Sequence, residues 1–132
     1  MTAIRGGDSD GNADTVGDPN WTPLVLTPPI PDYDSGHGVE GGLAATILQR
    51  FFHNDRISFA ICSTSLPAGQ TCDDASPRMR SFSTFSDAAD ENGLSRILVG
   101  IHFRHAVEEG ILHGQKIGDW VVTHALRPVS EN

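Results

Sequence analysis

Two separated segments of this 132-residue chain carry side chains that together could hold a tetrahedral oxyanion such as phosphate or vanadate. The first segment is Ser35, Gly36 and His37, and the second contains Arg96 and His102. A guanidinium can grip two oxygens of an oxyanion, while a serine hydroxyl and a glycine N–H can bind others. Of the two histidines, one could bind the central atom and the other could move a proton. The sequence therefore predicts one anion site built from both segments.

The serine–glycine–histidine segment stands at the predicted start of a helix. Apolar residues after it recur at helical spacing and predict a helix over residues 38–53. The apolar positions of this helix are Leu43, Ile47, Leu48, Phe51 and Phe52. The free N–H groups and the dipole at a helix N-terminus favour an anion. We therefore expect the segment to lie at the positive end of this helix.

Arg96 and His102 need a break in the chain between them if they are to share one anion. The pattern predicts a second helix over residues 86–99 and a third over residues 101–125. On one straight helix, side chains six positions apart would point about 120° away from each other, since each residue turns the helix by roughly 100°. A break at Gly100 would bring His102 to the start of the third helix and remove this obstacle.

The third predicted helix carries a line of small residues on the face below His102. Ala106, Gly110, Gly114 and Gly118 lie four positions apart. An interior glycine destabilises a helix by about 1 kcal/mol relative to alanine. Three of them on one face therefore indicate that another backbone packs closely there. That packing would place His102 near the interior of a helical bundle.

The remaining segments indicate a loop-rich start and a small sheet. Residues 1–36 contain four prolines between positions 23 and 31, and they are predicted to form an extended strap that leads into the site. Residues 57–62 and 79–83 favour two short β-strands around a loop that holds Cys62 and Cys72. A disulfide across this loop and two free thiols are both open from the sequence, with free thiols slightly favoured.

Composition and charge restrict the class of protein. With 38% apolar residues, a chain of 132 residues is one domain with a modest core. The net charge of -8 and the lack of a basic patch argue against a nucleic-acid partner. No run of about 18 apolar residues exists, which argues against a transmembrane helix. The positive field of an anion site must therefore come from nearby groups such as Arg96, His37 and a helix N-terminus.

Two motifs in the chain resemble those of a known superfamily. Residues Pro31–His37 have the form Pro-x-Tyr-x-Ser-Gly-His, and residues Ser95–Arg104 end in Gly-x-His-Phe-Arg. Together they resemble the vanadium-dependent haloperoxidases and the type 2 phosphatidic acid phosphatases, most of all the bacterial haloperoxidase-like branch. Shorter similar stretches extend the resemblance over about residues 1–122. It implies a mainly α, partial helical bundle of the haloperoxidase/acid phosphatase type, with a loop-rich strap over 1–36, helices over 37–125 and a short β-hairpin.

The resemblance also implies a reaction and a role for each site residue. Vanadate would bind through one nitrogen of His102. Its equatorial oxygens would be held by Arg96, Ser35 and the N–H of Gly36. His37 would shuttle a proton while hydrogen peroxide oxidises a halide. The alternative is an acid phosphatase with phosphate in the same site: His102 would attack phosphorus to form a phosphohistidine, and His37 would protonate the leaving group of the phosphate ester.

The chain departs from the family pattern in two places. The family's lysine followed seven residues later by Arg-Pro is missing, so residues 1–132 are expected to be the C-terminal part of one haloperoxidase-like domain, weak or inactive alone. An inactive truncated fragment is the third hypothesis, and a partly uncovered glycine face over 106–118 would favour homo-oligomers. The phosphatase pattern also places an aspartate four residues after the second histidine, where this chain has Ala106. A backbone carbonyl, Glu108 or Glu109 is expected to hold the histidine ring instead.

Overall fold

The computed structural model describes residues 2–7, 11–62, 72 and 79–125. This part of the chain is mainly α, as the sequence predicts, with one two-stranded sheet. The elements in chain order are α1 (Thr2–Arg5), α2 (Gly36–Phe52), β1 (Phe59–Cys62), β2 (Met79–Phe82), α3 (Phe85–Leu98) and α4 (Arg104–His124). Among these described residues, no helix is long and apolar enough to span a membrane.

Helices α2 and α4 pack with their backbones in contact along a line of glycines. On α4, a Cβ added to Gly110 would lie 2.7 Å from the carbonyl oxygen of Ser35. On α2, a Cβ added to Gly38 would lie 2.7 Å from the carbonyl oxygen of Val107. A side chain at either position would therefore force the helices apart. The close packing that the small-residue line predicts is confirmed, and it ties the start of α2 to the start of α4.

The small-residue face of α4 is covered, so the expectation that it would be left partly open is wrong. Ala106 is 1% exposed, and the three glycines that continue this face are buried as well. The cover is α2, whose own glycines let its backbone lie flat against α4. This face of α4 is therefore not free to pack against a second copy of the chain.

The large apolar residues of α2 lie outside the core of the described residues. Phe51 is 74% exposed and Phe52 is 49% exposed. The buried positions of α2 are instead Gly38, Gly42, Ala45 and Thr46. In α3, Leu98 is likewise 71% exposed. The apolar spacing identified these helices but not their buried sides. Where two helix backbones are in contact, only small residues fit between them, so the small residues are the buried ones.

A small cluster of apolar side chains joins the sheet to the helices. Ala45, Phe85 and Ala89 form a buried core cluster, and Ile57 and Phe59 pack against it. The ring of Phe85 lies 5.6 Å from the ring of Phe59, centroid to centroid. Because these are the first residues of α3 and of β1, their contact fixes the sheet against the helices.

The two strands pair as predicted, and a disulfide closes the segment between them. β1 and β2 are antiparallel, with Cys62 opposite Met79. Cys62 is bonded to Cys72, so the slight preference for two free thiols is wrong. Spacing along the chain could not decide this point, because a disulfide requires the approach of two Cα atoms, here 5.8 Å apart. Residues 63–71, which the bridge encloses, lie outside the described residues.

The N-terminal strap crosses the junction between α3 and α4. It begins with a helix rather than a loop, because α1 forms at its start. The N–H of Asp18 donates to the carbonyl oxygen of Ile4 at 3.0 Å, which ties the strap to α1. The N–H of Leu24 donates to the carbonyl oxygen of Val99 at 3.0 Å. The strap therefore packs on the end of α3 before it delivers the chain to the start of α2.

Candidate oxyanion site

The N-terminus of α2 presents open backbone donors at the serine–glycine–histidine segment. Ser35 caps the helix, since its Oγ accepts a hydrogen bond from the N–H of Gly38 at 3.4 Å. The N–H of Ser35 donates to the carbonyl oxygen of Ala106 at 3.0 Å, which joins this cap to α4. Apart from its chain neighbours and the nearby backbone of α2 itself, no atom of the described residues lies within 4 Å of the place a Cβ would take at Gly36. The first N–H groups of α2 can therefore reach a ligand.

A sharp corner at Gly100 brings His102 close to Arg96. Gly100 has a φ of +77°, which a glycine adopts without strain. The N–H groups of Ile101 and His102 both donate to the carbonyl oxygen of Arg96, at 3.0 and 3.3 Å. The break predicted at Gly100 is confirmed, and it folds the chain back so that the second histidine lies beside the arginine.

Two buried nitrogen atoms at this corner have no hydrogen-bond partner in the described part of the chain. They are Nε of Arg96 and Nε2 of His102, and the side chain of His102 is 1% exposed. A buried polar group without a partner costs about 1–3 kcal/mol. The pair fits a tetrahedral oxyanion, because an oxygen of the anion can accept from Nε–H and its central atom can bond to Nε2.

The imidazole of His102 is held on its other side by a carboxylate from the strap. Oδ1 of Asp32 lies 3.2 Å from Nδ1 of His102 and accepts from the N–H of Phe103 at 3.0 Å. The expected partners, a backbone carbonyl, Glu108 or Glu109, are therefore wrong. Because a carboxylate accepts, we assign the ring hydrogen to Nδ1. Nε2 then keeps its lone pair for the site.

His37 faces the same region from the first turn of α2. Burial lowers the pKa of its imidazole below the ordinary value of 6.5, the charges of Arg96 and His102 lower it further, and Glu40 raises it. Its carbonyl oxygen accepts from Nδ2 of Asn92 at 2.9 Å, which ties α2 to α3. The lowered pKa favours the neutral form of the His37 ring, which can accept a proton.

The effect of Arg96 on His37 leads to a measurable prediction. After burial, the charge of Arg96 is the next largest cause that lowers the pKa of His37. We expect Arg96→Gln to raise that pKa, because the positive charge that disfavours the protonated ring is removed. An NMR titration of the His37 ring protons measures it. Arg104→Gln is the control, since Arg104 is exposed and pairs with Glu108; equal shifts in the two variants would refute the proximity.

Two other histidines of α4 are engaged by the strap rather than by this site. Nδ1 of His113 lies 2.7 Å from Oδ2 of Asp34. The ring of His105 stacks on Tyr33, with centroids 5.8 Å apart. In the described part of the chain, no group of three or more His, Cys, Asp or Glu side chains could hold a metal ion.

The residues named from the sequence come from two parts of the fold. α2 supplies Ser35, Gly36 and His37, and the corner after α3 supplies Arg96 and His102. Sequence reasoning did not identify Asp32, Asn92 or Trp21, which support them. Asp32 stands inside the Pro-x-Tyr-x-Ser-Gly-His motif, and Trp21 lies in one of the shorter stretches that resemble the family.

Comparison with known proteins places the chain in a family. A family profile described as the VCPO second helical-bundle domain matches residues 2–131. The structure is similar to that of a bacterial vanadium-dependent iodoperoxidase, with 40% identity and a TM-score of 0.67, over 80% of this chain and 24% of that one. No match is found among curated proteins.

Two structures of a bacterial vanadium-dependent chloroperoxidase share the fold. The apo form has 22% identity and a TM-score of 0.56, over 75% of this chain and 22% of that one. The holo form has 24% identity and a TM-score of 0.58, over 76% of this chain and 22% of that one. The chain spans about a quarter of the length of the solved structures it matches. It belongs to the vanadium-dependent haloperoxidase family, in the part described as the second helical-bundle domain.

Proposed function

We propose that this chain forms part of a vanadium-dependent haloperoxidase, which oxidises a halide with hydrogen peroxide. The observation that carries the proposal is the buried pair of unpartnered nitrogens, Nε of Arg96 and Nε2 of His102, near an open helix N-terminus. The similarity to an iodoperoxidase at 40% identity supports the same class of reaction. Residues 2–131 then form the second helical-bundle domain of such an enzyme.

Each site residue has one task in this proposal. His102 holds vanadate through Nε2, while Asp32 keeps the ring hydrogen on Nδ1. Arg96, Ser35 and the N–H of Gly36 bind the oxygens of the anion. When bound, vanadate supplies a Lewis acid of constant oxidation state that activates peroxide toward the halide. The protein contributes position and positive charge.

His37 is the proton carrier of the proposal. Its neutral ring accepts a proton at one nitrogen and returns it during turnover, which is the work of a general acid–base group. We expect His37→Ala to spare vanadate binding and to slow halide oxidation by about 100-fold or more. Calorimetric titration with vanadate and steady-state kinetics measure the two quantities. His105→Ala is the control. If His37→Ala lost vanadate binding as completely as a variant that lacks His102, the proposed division of roles between the two histidines would be wrong.

Asp32 is expected to set the affinity of His102 for vanadate. Asp32→Asn keeps an acceptor for the N–H of Phe103 but removes the negative charge behind the ring. Loss of such a supporting carboxylate typically costs 10- to 100-fold in affinity, and we expect about that loss here. The control is Asp34→Asn, whose partner His113 lies on the exposed face of α4. An unchanged dissociation constant in Asp32→Asn would show that the carboxylate does not tune the histidine.

An acid phosphatase reaction is the second candidate, because the same donors fit phosphate. The observation that favours it is the buried Nε2 of His102, which has no hydrogen-bond partner among the described residues, since an imidazole whose Nδ1 is held by a carboxylate can attack phosphorus through Nε2. His102 would form a phosphohistidine, and His37 would protonate the leaving group of the phosphate ester.

Two assays on this chain separate the candidates. The first measures bromide or iodide oxidation with added vanadate and hydrogen peroxide, and the proposal expects turnover that depends on vanadate and is weak, because the chain lacks the lysine and arginine of the family pattern. The second measures hydrolysis of a phosphate ester without vanadate, and turnover with a trapped phosphohistidine supports the phosphatase. Absence of both activities, together with absence of vanadate binding, supports the third hypothesis of an inactive fragment.

A further inference from the structure

An aromatic ring of the strap packs directly on the corner at Gly100. A Cβ added to Gly100 would lie 2.8 Å from Cζ2 and 2.9 Å from Cη2 of Trp21, and 3.3 Å from Cα of Pro23. The φ of +77° at Gly100 already favours glycine over other residues. The Trp21 ring therefore stands where a side chain would otherwise lie, and it confines the corner from outside.

The strap also holds the chain on both sides of this ring. Before the corner, the N–H of Leu24 donates to the carbonyl oxygen of Val99 at 3.0 Å. After the corner, Oδ1 of Asp32 accepts from the N–H of Phe103 at 3.0 Å. The turn between these two hydrogen bonds is the part that Trp21 covers. The strap therefore fixes the ends of the corner by hydrogen bonds and its middle by packing.

Trp21 is itself held in place by its own backbone. Its carbonyl oxygen accepts from Nε of Arg5 at 3.0 Å. Its N–H donates to the carbonyl oxygen of Asp18 at 3.2 Å. These two hydrogen bonds fix the backbone that carries the half-buried ring. Through its contact with Gly100, the ring can then hold the corner in one conformation.

We infer that Trp21 is a positioning residue for His102 and acts through the corner at Gly100. The inference rests on the proposed function for the identity of the ligand. Glycine has more backbone freedom than other residues, so without the ring the corner can adopt other conformations. Nε2 of His102 and Nε of Arg96 would then have to be aligned by the anion as it binds, which weakens binding.

The test compares tryptophan variants in the binding of orthovanadate, followed by calorimetry. We expect Trp21→Ala to raise the dissociation constant by about 10-fold or more, and Trp21→Phe, which keeps a ring over Gly100, to recover most of the loss. Trp120→Ala is the matched control, because Trp120 is 59% exposed and stacks on His124 at the far end of α4. We expect it to bind as the parent chain does.

A second measurement needs no ligand and separates this inference from the proposed function. The Nδ1–H proton of His102, hydrogen-bonded to Asp32, should give one sharp NMR signal in the parent chain and in Trp21→Phe. It should broaden or vanish in Trp21→Ala while the helical circular dichroism is kept. Failure of the parent chain to bind vanadate would end the proposed function, and this signal would still decide the role of Trp21.

Two results would overturn the inference. One is an unchanged His102 signal in Trp21→Ala, whatever the affinity. The other is an equal loss in Trp21→Ala and Trp120→Ala, which would indicate a general effect on stability. If Trp21→Ala does not fold, Trp21→Leu takes its place, since it keeps apolar volume over Gly100 without the planar ring, and the same two outcomes apply.

Discussion

Replacing His102 with alanine is expected to weaken vanadate binding by more than about 1000-fold, or about 4 kcal/mol. The substitution removes Nε2, the buried nitrogen that we propose binds the central atom of the anion. It also leaves the carboxylate of Asp32 without its partner on the ring, so a negative charge faces the place where an anion would bind. Both effects act in the same direction. Calorimetric titration with vanadate measures the loss.

The chain offers a matched control for this variant in His113. Like His102, His113 presents Nδ1 to an aspartate of the strap, here Asp34 at 2.7 Å. Unlike His102, its side chain is 57% exposed, so it faces solvent. We expect His113→Ala to bind vanadate as the parent chain does. Retained binding in His102→Ala would exclude His102 as the ligand, and equal loss in both variants would point to a structural cause.

The parts of the site that the sequence predicted correctly depend on local chemistry. Apolar spacing after the serine–glycine–histidine segment placed this segment at the start of a helix, and α2 begins at Gly36. A glycine at the end of a helix allows a left-handed turn, and Gly100 makes one. Because these effects act within a few residues, the type and order of the residues were enough to predict them.

The parts that the sequence did not predict depend on contacts between distant residues. Asp32 and His102 are 70 positions apart, whereas the expected partners Glu108 and Glu109 were chosen because they lie nearby on the chain. For the same reason the apolar spacing of α2 did not identify the buried side of this helix, since Phe51 is exposed. Apolar spacing assumes that large residues form the buried face, but glycine contacts between backbones place small residues there.

Replacing Gly114 with valine is expected to lower the free energy of unfolding by about 4 kcal/mol. A Cβ at Gly114 would collide with the carbonyl oxygen of Val39 and would lie 2.7 Å from the backbone N of Leu43. These are backbone atoms of α2, which cannot turn aside as a side chain can. Relief therefore requires α2 and α4 to separate. Urea unfolding followed by circular dichroism measures the change.

Lys116→Val is the control, because it places the same side chain on an exposed position of the same helix. Its effect on the free energy of unfolding should stay within about 0.5 kcal/mol. If Gly114→Val were as stable as Lys116→Val, the two helices could not pack backbone to backbone. The candidate site would then lose its basis, because the hydrogen bond from Ser35 to the carbonyl of Ala106 depends on the same packing. Stability and vanadate affinity should therefore fall together in Gly114→Val, whereas in His102→Ala the loss of affinity should be the larger effect.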